Sequence, residues 1–306
     1  RAGSTASAPP AVPVIPNPSA RNGAVAKRIE PLQTAFAANG MEAVLVESTS
    51  EQNASDLAAG FAARGAPIVV SLGGDGLVRA IAAGLVGTST SMGIIAGGRG
   101  NDFIGKLGIP KDIAAAAAVV ANGRDRSIDV LDLDGKICVG NVSLGLDSAV
   151  QEYADSVRRI KGHWVYLYGV VRAIAQPRRI DLTLTIAGER VSFRGLSAGF
   201  ANSGRYGGGL KLSPEAKLDD GLIDVVLLKD AFLPKLGAEL VSFTLGKHNL
   251  HPNIHFSHAR EIHIATPKGA PPVEIVADGD AVARTPATVK IRPESLKVRV
   301  PAGQEQ

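Results

Sequence analysis

Cysteine is almost absent from this chain: Cys138 is the only one among 306 residues. That excludes an intrachain disulfide and any zinc site built on thiolates, and leaves Cys138, inside an apolar strand-like run, as a core residue. An excess of one charge is missing too. Lys and Arg number 33 against 29 Asp and Glu, a net charge of +4. That is too mild to argue for nucleic acid, but it is compatible with a weakly basic face near anionic lipid. No apolar run approaches the roughly 18 residues of a membrane-spanning helix, so no transmembrane segment is expected. No internal repeat is present. Arg1 to Pro10 is rich in Ala, Ser and Pro but has no apolar core segment and no initiating Met. It reads as a flexible, trimmed tail, not a signal peptide. The default expectation is a soluble cytoplasmic protein. A chain of this length, 45% hydrophobic and 20% charged, has an ordinary globular balance and room for two domains.

What the chain does have is glycine, at strand ends. Pro67-Ile68-Val69-Val70-Ser71-Leu72-Gly73-Gly74-Asp75-Gly76 is a short β-branched run that ends in three glycines and one aspartate. The Ala/Leu/Ile-rich segment Leu77 to Leu85 follows at once. This predicts a buried parallel strand, a tight turn and a helix start. Glycines let the backbone approach a ligand, and N–H groups at a helix N-terminus favour anions. Asp75 is acidic where a phosphate would sit. A bare carboxylate repels phosphate, so Asp75 is placed to hold a metal ion, its waters or a reacting hydroxyl. The simpler alternative is a glycine-rich turn with a capping Asp.

The pattern repeats. Met92 to Ala96 is apolar and runs into Gly97-Gly98-Arg99-Gly100-Asn101-Asp102-Phe103, where Asn101 or Asp102 is a natural N-cap. Two such loops at the strand ends of an open α/β sheet frame one crevice. Before them come a strand at Ala11 to Ile15, an Asn17-Pro18-Ser19 turn, a helix from Gly23 to Asn39 with Pro31 as kink or late start, a strand at Met41 to Val46 and a helix at Glu51 to Arg64. Asp112 to Asn122 is a further helix, closed by Gly123. Strands alternating with helices predict a parallel sheet covered on both faces.

After about residue 125 the rhythm changes. Ile128 to Leu133 alternates with period two, Asp134-Gly135 is a hairpin turn, and Ile137 to Val142 returns. Helices are expected at 148–160 and 163–175, with another at Lys235 to Leu245. Long alternating strands follow at Asp181–Ile186, Val191–Ala201, Gly221–Leu228, Ile254–Ala265, Val273–Ala277 and Ala281–Ile291. This half reads as an antiparallel β-sandwich or barrel.

Four blocks, Gly73–Gly76, Gly98–Phe103, Asn202–Asp224 and Asp278–Pro286, resemble the diacylglycerol kinase catalytic family, which includes sphingosine kinases and bacterial lipid kinases. They stand in family order and span nearly the whole chain. The resemblance implies α/β plus β: a Rossmann-like parallel α/β domain over 11–127, an antiparallel β-sandwich lipid domain over 128–291, and a last strand within 292–301 returning to the first domain. It implies an ATP- and Mg²⁺-dependent kinase that phosphorylates a hydroxyl of diacylglycerol or a similar neutral lipid, with nucleotide and lipid headgroup meeting in the cleft between domains. The lipid would be met at a membrane surface by peripheral contact. An exposed sandwich edge allows a symmetric homodimer.

Residue by residue, the nucleotide shell would be Asn17, Gly73, Gly74, Gly76, Gly98, Arg99, Gly100 and Asn101. Asn17 stands in the family's Asn-Pro-x-Ser turn, although the Gly that normally follows is Ala20 here. Asn202-Ser203-Gly204-Arg205-Tyr206-Gly207-Gly208-Gly209 follows the family's Asn-x-x-x-Tyr-Gly-Gly-Gly block, with room for an acyl chain or a mobile lip. Pro214 to Asp224 packs four acids into eleven residues, a loop able to offer carboxylate and carbonyl oxygens to a hard cation. The family places a structural Mg²⁺ there, which maps onto Asp220 with the carbonyls of Lys217 and Leu222. Asp280 stands where the family has the Glu of Asp-Gly-Glu, the base for the acceptor hydroxyl, one methylene shorter. Asp280 is therefore assigned as base and Asp75 as organiser of metal and hydroxyl. Asp278-Gly279 read alone is a hairpin turn.

Three positions depart from the pattern. Leu77 replaces the usual Thr, Ala80 the usual Glu, and Arg99 the Thr of Gly-Thr-Gly-Asn-Asp. Some sphingosine kinases carry Leu at the first of these, and Arg99 would bring a cation to the phosphates. Two alternatives stay open: an NAD kinase, which shares the Gly-Gly-Asp-Gly turn, and a silent nucleotide- or lipid-binding relative. Arg158 to Tyr168 sets three cations beside Trp164, Tyr166 and Tyr168. It reads as a packed helix with a solvated charged face, or as a membrane contact.

Overall fold

A computed structural model of the chain describes residues 9–17, 26–97, 101–155, 168–169, 172–173, 175–205, 212–229 and 252–303. The backbone divides into two compact units. One is Arg1–Gly98, Leu107–Arg126 and Leu296–Gln306; the other is Arg99–Lys106 and Ser127–Ser295.

The first unit alternates strand and helix: β1 (Ala11–Pro16), α1 (Ala26–Ala38), β2 (Glu42–Leu45), α2 (Glu51–Ala63), β3 (Ile68–Gly73), α3 (Asp75–Leu85) and β4 (Ser91–Ala96). After the short α4 (Asp102–Lys106) of the second unit, α5 (Ile113–Asn122) completes it. The strands β4, β3, β1 and β2 lie side by side in that order, all parallel. Every residue of β3 and β4 is buried, which is why both read as unbroken apolar runs and not as alternations. Local chemistry sets the helix starts. The Ser50 hydroxyl accepts from Asn53 N at 3.1 Å and Glu51 follows in the first turn. Asp112 does the same for Ala115 N at 2.9 Å. Pro31 lies inside α1, which begins five residues earlier at Ala26, so it does not delay the helix.

The main part of the second unit starts within β5 (Arg124–Leu133), which forms a hairpin with β6 (Lys136–Cys138) across Asp134-Gly135. Both turn residues have positive φ, 47° and 89°, the requirement of a tight hairpin turn. Then come β7 (Asn141–Gly145), α6 (Leu146–Asp155), β8 (Ile180–Ile186), β9 (Glu189–Ala201), β10 (Ile223–Lys229), β11 (Ile254–Ala259), β12 (Glu261–Ala265), β13 (Glu274–Ala277), β14 (Asp280–Arg284) and β15 (Ala287–Val300). The ladder β14-β13-β7-β9-β8-β12-β15 is antiparallel, and β10 joins β9 to β11. One core holds Leu131, Leu144, Leu182, Phe200, Ile262 and Val289, with Cys138 among them.

Four strand expectations are corrected. Ile137–Val142 is broken at Val139-Gly140, because the amides there are taken by a side chain from a distant turn, described below. Ile254–Ala265 is two strands, since β11 pairs with β10 while β12 pairs with β8 and β15. Ala281–Ile291 is divided at Thr285-Pro286, where the proline has no N–H to donate to a ladder. Thr285 N bonds instead to Val273 O at 2.9 Å. The separate last strand is in fact the far end of β15. That strand pairs with β12 through residues 287–290 and runs on to pair in parallel with β4 at Lys297 and Val298. The proposed helix at 235–245, most of that at 163–175 and the end of that at 148–160 lie outside the described residues.

Candidate active site residues

In the first unit, chain order and sheet order diverge at β1. The chain steps from β1 to β2 on one side, and β3 lies on the other. Such a switch point opens a crevice at the carboxyl ends of the strands. Asn17 stands at the end of β1 and Gly73-Gly74-Asp75-Gly76 at the end of β3. Asn17 N donates to Leu72 O at 3.1 Å. Gly97, just past β4, donates its N–H to Gly73 O at 2.8 Å. A Cβ on Gly97 would lie 2.9 Å from Gly73 N, so the two strand ends approach more closely than any side chain permits.

Asp75 is the first residue of α3, after Gly74 as N-cap. Gly74 is extended and, as a glycine, offers no capping side chain. The donor set is therefore backbone N–H at the positive end of an eleven-residue helix, which suits an anionic group, with a half-buried carboxylate beside it that suits a bridging cation. Leu77 and Ala80, which stand where the resemblance expects Thr and Glu, are 4% and 5% exposed. Leu77 Cδ2 lies 2.7 Å from where a Gly73 Cβ would be. The missing hydroxyl is thus replaced by core packing that also explains Gly73. Arg28, in the first turn of α1, was not singled out from the sequence. Its Nη1 donates to Ala96 O at 2.5 Å, which brings a cation to the end of β4. Nothing in its spacing marks it. Asn101 is half-buried just before α4. Gly98, Arg99 and Gly100 lie outside the described residues, as do Tyr206 to Gly209 and 158–167.

In the second unit, Asp278 and Gly279 form the turn between β13 and β14, with φ of 49° and 90°. Asp280 opens β14, exposed and paired with Ala277. The Asp278 carboxylate accepts from Val139 N at 2.9 Å, Gly140 N at 2.7 Å and Asn141 N at 3.1 Å.

The acid loop is a separate construction. Asp220 is exposed, and its Oδ1 accepts from Leu222 N at 3.0 Å. Lys217 is exposed and Leu222 half-buried. The loop is fastened by Asp129, which is 0% exposed. Its carboxylate accepts from Gly221 N and Glu294 N, each at 2.7 Å, and its own N donates to Leu218 O at 2.6 Å. Burial raises the Asp129 pKa above its ordinary value; the two backbone donors oppose this, and the charges of Asp220 and Asp219 add to it. Asp224 is likewise raised by burial, against the pull of His258, whose Nε2 lies 3.0 Å from Oδ1. Lys106 donates to Ala216 O on the same loop. Asp129 was missed in the sequence, although a signal was there: in an alternating strand it shares the face of Leu131 and Leu133, both in the core. Among the described residues no three or more His, Cys, Asp and Glu side chains gather into a metal site. A cation here would depend on Asp220 and backbone carbonyls, a donor set that suits a hard ion.

Two family matches cover the chain. Residues 11–133 match the diacylglycerol kinase catalytic domain, and residues 140–300 match the YegS C-terminal NAD kinase beta sandwich-like domain. A diacylglycerol kinase of Mycobacterium tuberculosis (strain CDC 1551 / Oshkosh) is 29% identical over 297 residues, 95% of each chain. One from Staphylococcus saprophyticus is 27% identical over 65% of this chain and 66% of its own. A crystal structure of a diacylglycerol kinase from Bacillus anthracis superposes with a TM-score of 0.77 at 22% identity, covering 94% of this chain and 96% of that one; this shows the shared fold. With both units matched in order, the chain belongs to the diacylglycerol kinase family of lipid kinases.

Proposed function

We propose that the chain transfers the γ-phosphate of ATP, with Mg²⁺, to a hydroxyl of diacylglycerol or a similar neutral lipid presented at a membrane surface. The observation that carries this reading is the glycine-built start of α3 at the switch point, where Gly73 and Gly97 meet backbone to backbone beside Asp75. Backbone amides of Gly73, Gly74 and Gly76, with Asn17, Asn101 and the 98–100 loop, hold the phosphates. Mg²⁺ supplies charge neutralisation of the phosphates. Asp75 holds that ion or its waters and orients the acceptor. Asp280 accepts the proton from the lipid hydroxyl as the phosphoryl group is transferred. A second Mg²⁺ is structural and is held by Asp220 with the carbonyls of Lys217 and Leu222.

The test is incubation with γ-labelled ATP and Mg²⁺ in mixed micelles carrying diacylglycerol and, separately, with NAD. Labelled lipid is expected. Labelled NADP without labelled lipid would overturn the reading in favour of the nucleotide-kinase alternative.

A further inference from the structure

Asp278 uses its carboxylate on the backbone. Three successive amides, Val139, Gly140 and Asn141, donate to it at 2.7–3.1 Å, and Asp278 N returns a bond to Asn141 O at 3.0 Å. These amides fall where β6 has ended at Cys138 and β7 is only beginning at Asn141, so without the carboxylate they would lack ladder partners. Gly140 is needed for space: a Cβ there would lie 2.7 Å from Asp278 Oδ1.

The same tripeptide holds a third segment. Asn202 N and Ser203 N both donate to Gly140 O at 3.0 Å. Asn202 Nδ2 donates to Val139 O at 2.9 Å. Asn141 Nδ2 donates to Arg205 O at 2.5 Å, and its Oδ1 accepts from Gly204 N at 3.2 Å. One carboxylate thus pins together the turn that carries Asp280, the 139–141 crossing and the 202–205 segment. We infer that Asp278 is a positioning residue of the kinase: it fixes Asp280 relative to the 202–205 segment through Val139–Asn141. This rests on the reading of Asp280 as base. It also sets Asp278 apart from the bases, because its oxygens already accept from three backbone donors.

The test uses the full chain and two variants that strike one contact from opposite sides. Gly140→Ala pushes a methyl against Oδ1, and Asp278→Gly removes the carboxylate while accepting the positive φ. Each should lower kcat for lipid phosphorylation by about tenfold or more, the scale of a small misplacement of reacting groups, while KM for ATP stays within about twofold. In the Asp278→Gly background, Gly140→Ala should add no further loss. Hydrogen exchange at the 139–141 amides should quicken in Asp278→Gly with the amides of β9 and β10 unchanged, which shows that the fold persists. If Asp278→Gly fails to fold, the milder Asp278→Asn takes its place in the same comparison; if Gly140→Ala fails to fold, unchanged kcat or unchanged 139–141 exchange in Asp278→Asn overturns the inference. Unchanged kcat in Gly140→Ala, or losses that add in the double variant, would overturn the inference. Near-normal turnover of Asp280→Asn overturns the base reading alone, because the amide exchange and the non-additive pair are read independently of it.

Discussion

Asp75 and Asp278 both stand beside glycine in tight turns, one in each unit, yet the backbone treats them in opposite ways. At Asp75 the chain passes from a parallel strand into a helix. The first amides of α3 point together out of the helix end, and the N-cap, Gly74, brings no side chain to them. Their alignment forms a positive terminus that an incoming anion can use. At Asp278 the chain reverses between antiparallel strands, and an interrupted neighbour leaves three amides that donate to this carboxylate. The difference teaches that an aspartate in a glycine turn takes its role from the backbone donors nearby. In the parallel unit the donors stand at a helix end, where an anion is favoured. In the antiparallel unit the protein needs them met by itself, and it is Asp280, two residues further on, that is exposed.

The sharpest way to break this comparison is at Asp280. Asp280→Asn keeps size and turn-forming ability but removes the base. Lipid phosphorylation should fall about 10³-fold, within the range for a lost general base, while ATP affinity stays within about threefold because a transition-state role is lost and not uniform binding. Retained turnover would make Asp280 a turn residue and move the base to Asp75.

Asp75→Asn is the companion change. Turnover should fall about 10²-fold, the lower end of what positioning a metal or a hydroxyl contributes. Initial-rate measurements at several Mg²⁺ concentrations check this. Near-normal turnover with the fold intact would remove Asp75 from the mechanism and leave the α3 start as a turn only.

A smaller effect is expected beneath the acid loop. Asp129→Asn turns one acceptor oxygen into an N–H donor facing Gly221 N or Glu294 N. A buried unsatisfied pair of this sort costs about 1–3 kcal/mol, measurable by urea denaturation. A loss under about 0.5 kcal/mol would show that the loop is held without Asp129.

These carboxylates also mark how far the fold and the site were legible in the sequence. Whatever rests on neighbouring residues could be read: the apolar run of β3 ending in glycines, the helices beginning near Glu51 and Asp112, the Asp134-Gly135 and Asp278-Gly279 hairpins. Period and turn chemistry are local, so they report element type and face directly. What could not be read depends on partners far along the chain. The break at Val139-Gly140 is caused by a side chain 139 residues away, and Asp129 reaches Glu294 N across 165. Arg28 meets Ala96 O across 68. Asp129 shares the face of Leu131 and Leu133 in its strand, but nothing in a face pattern names the amides that make such a burial tolerable.

The smallest effect expected is at Asp220, and it separates a turn residue from a metal ligand. Asp220 Oδ1 already accepts from Leu222 N, so in the absence of metal Asp220→Ala forfeits one exposed local bond, about 0.5 kcal/mol at the low end for a hydrogen bond. With chelator present, wild type and variant should therefore melt within a degree or two of one another. Mg²⁺ changes only the native wild type: at ten times its Kd it adds about 1.4 kcal/mol by mass action. Thermal melts of both proteins across a Mg²⁺ series should diverge, wild type rising and Asp220→Ala lagging, with the lag partly closed at high Mg²⁺ if the Lys217 and Leu222 carbonyls still bind weakly. A wild type whose melting temperature ignores Mg²⁺ would make Asp220, like Asp278, a residue whose carboxylate serves the backbone.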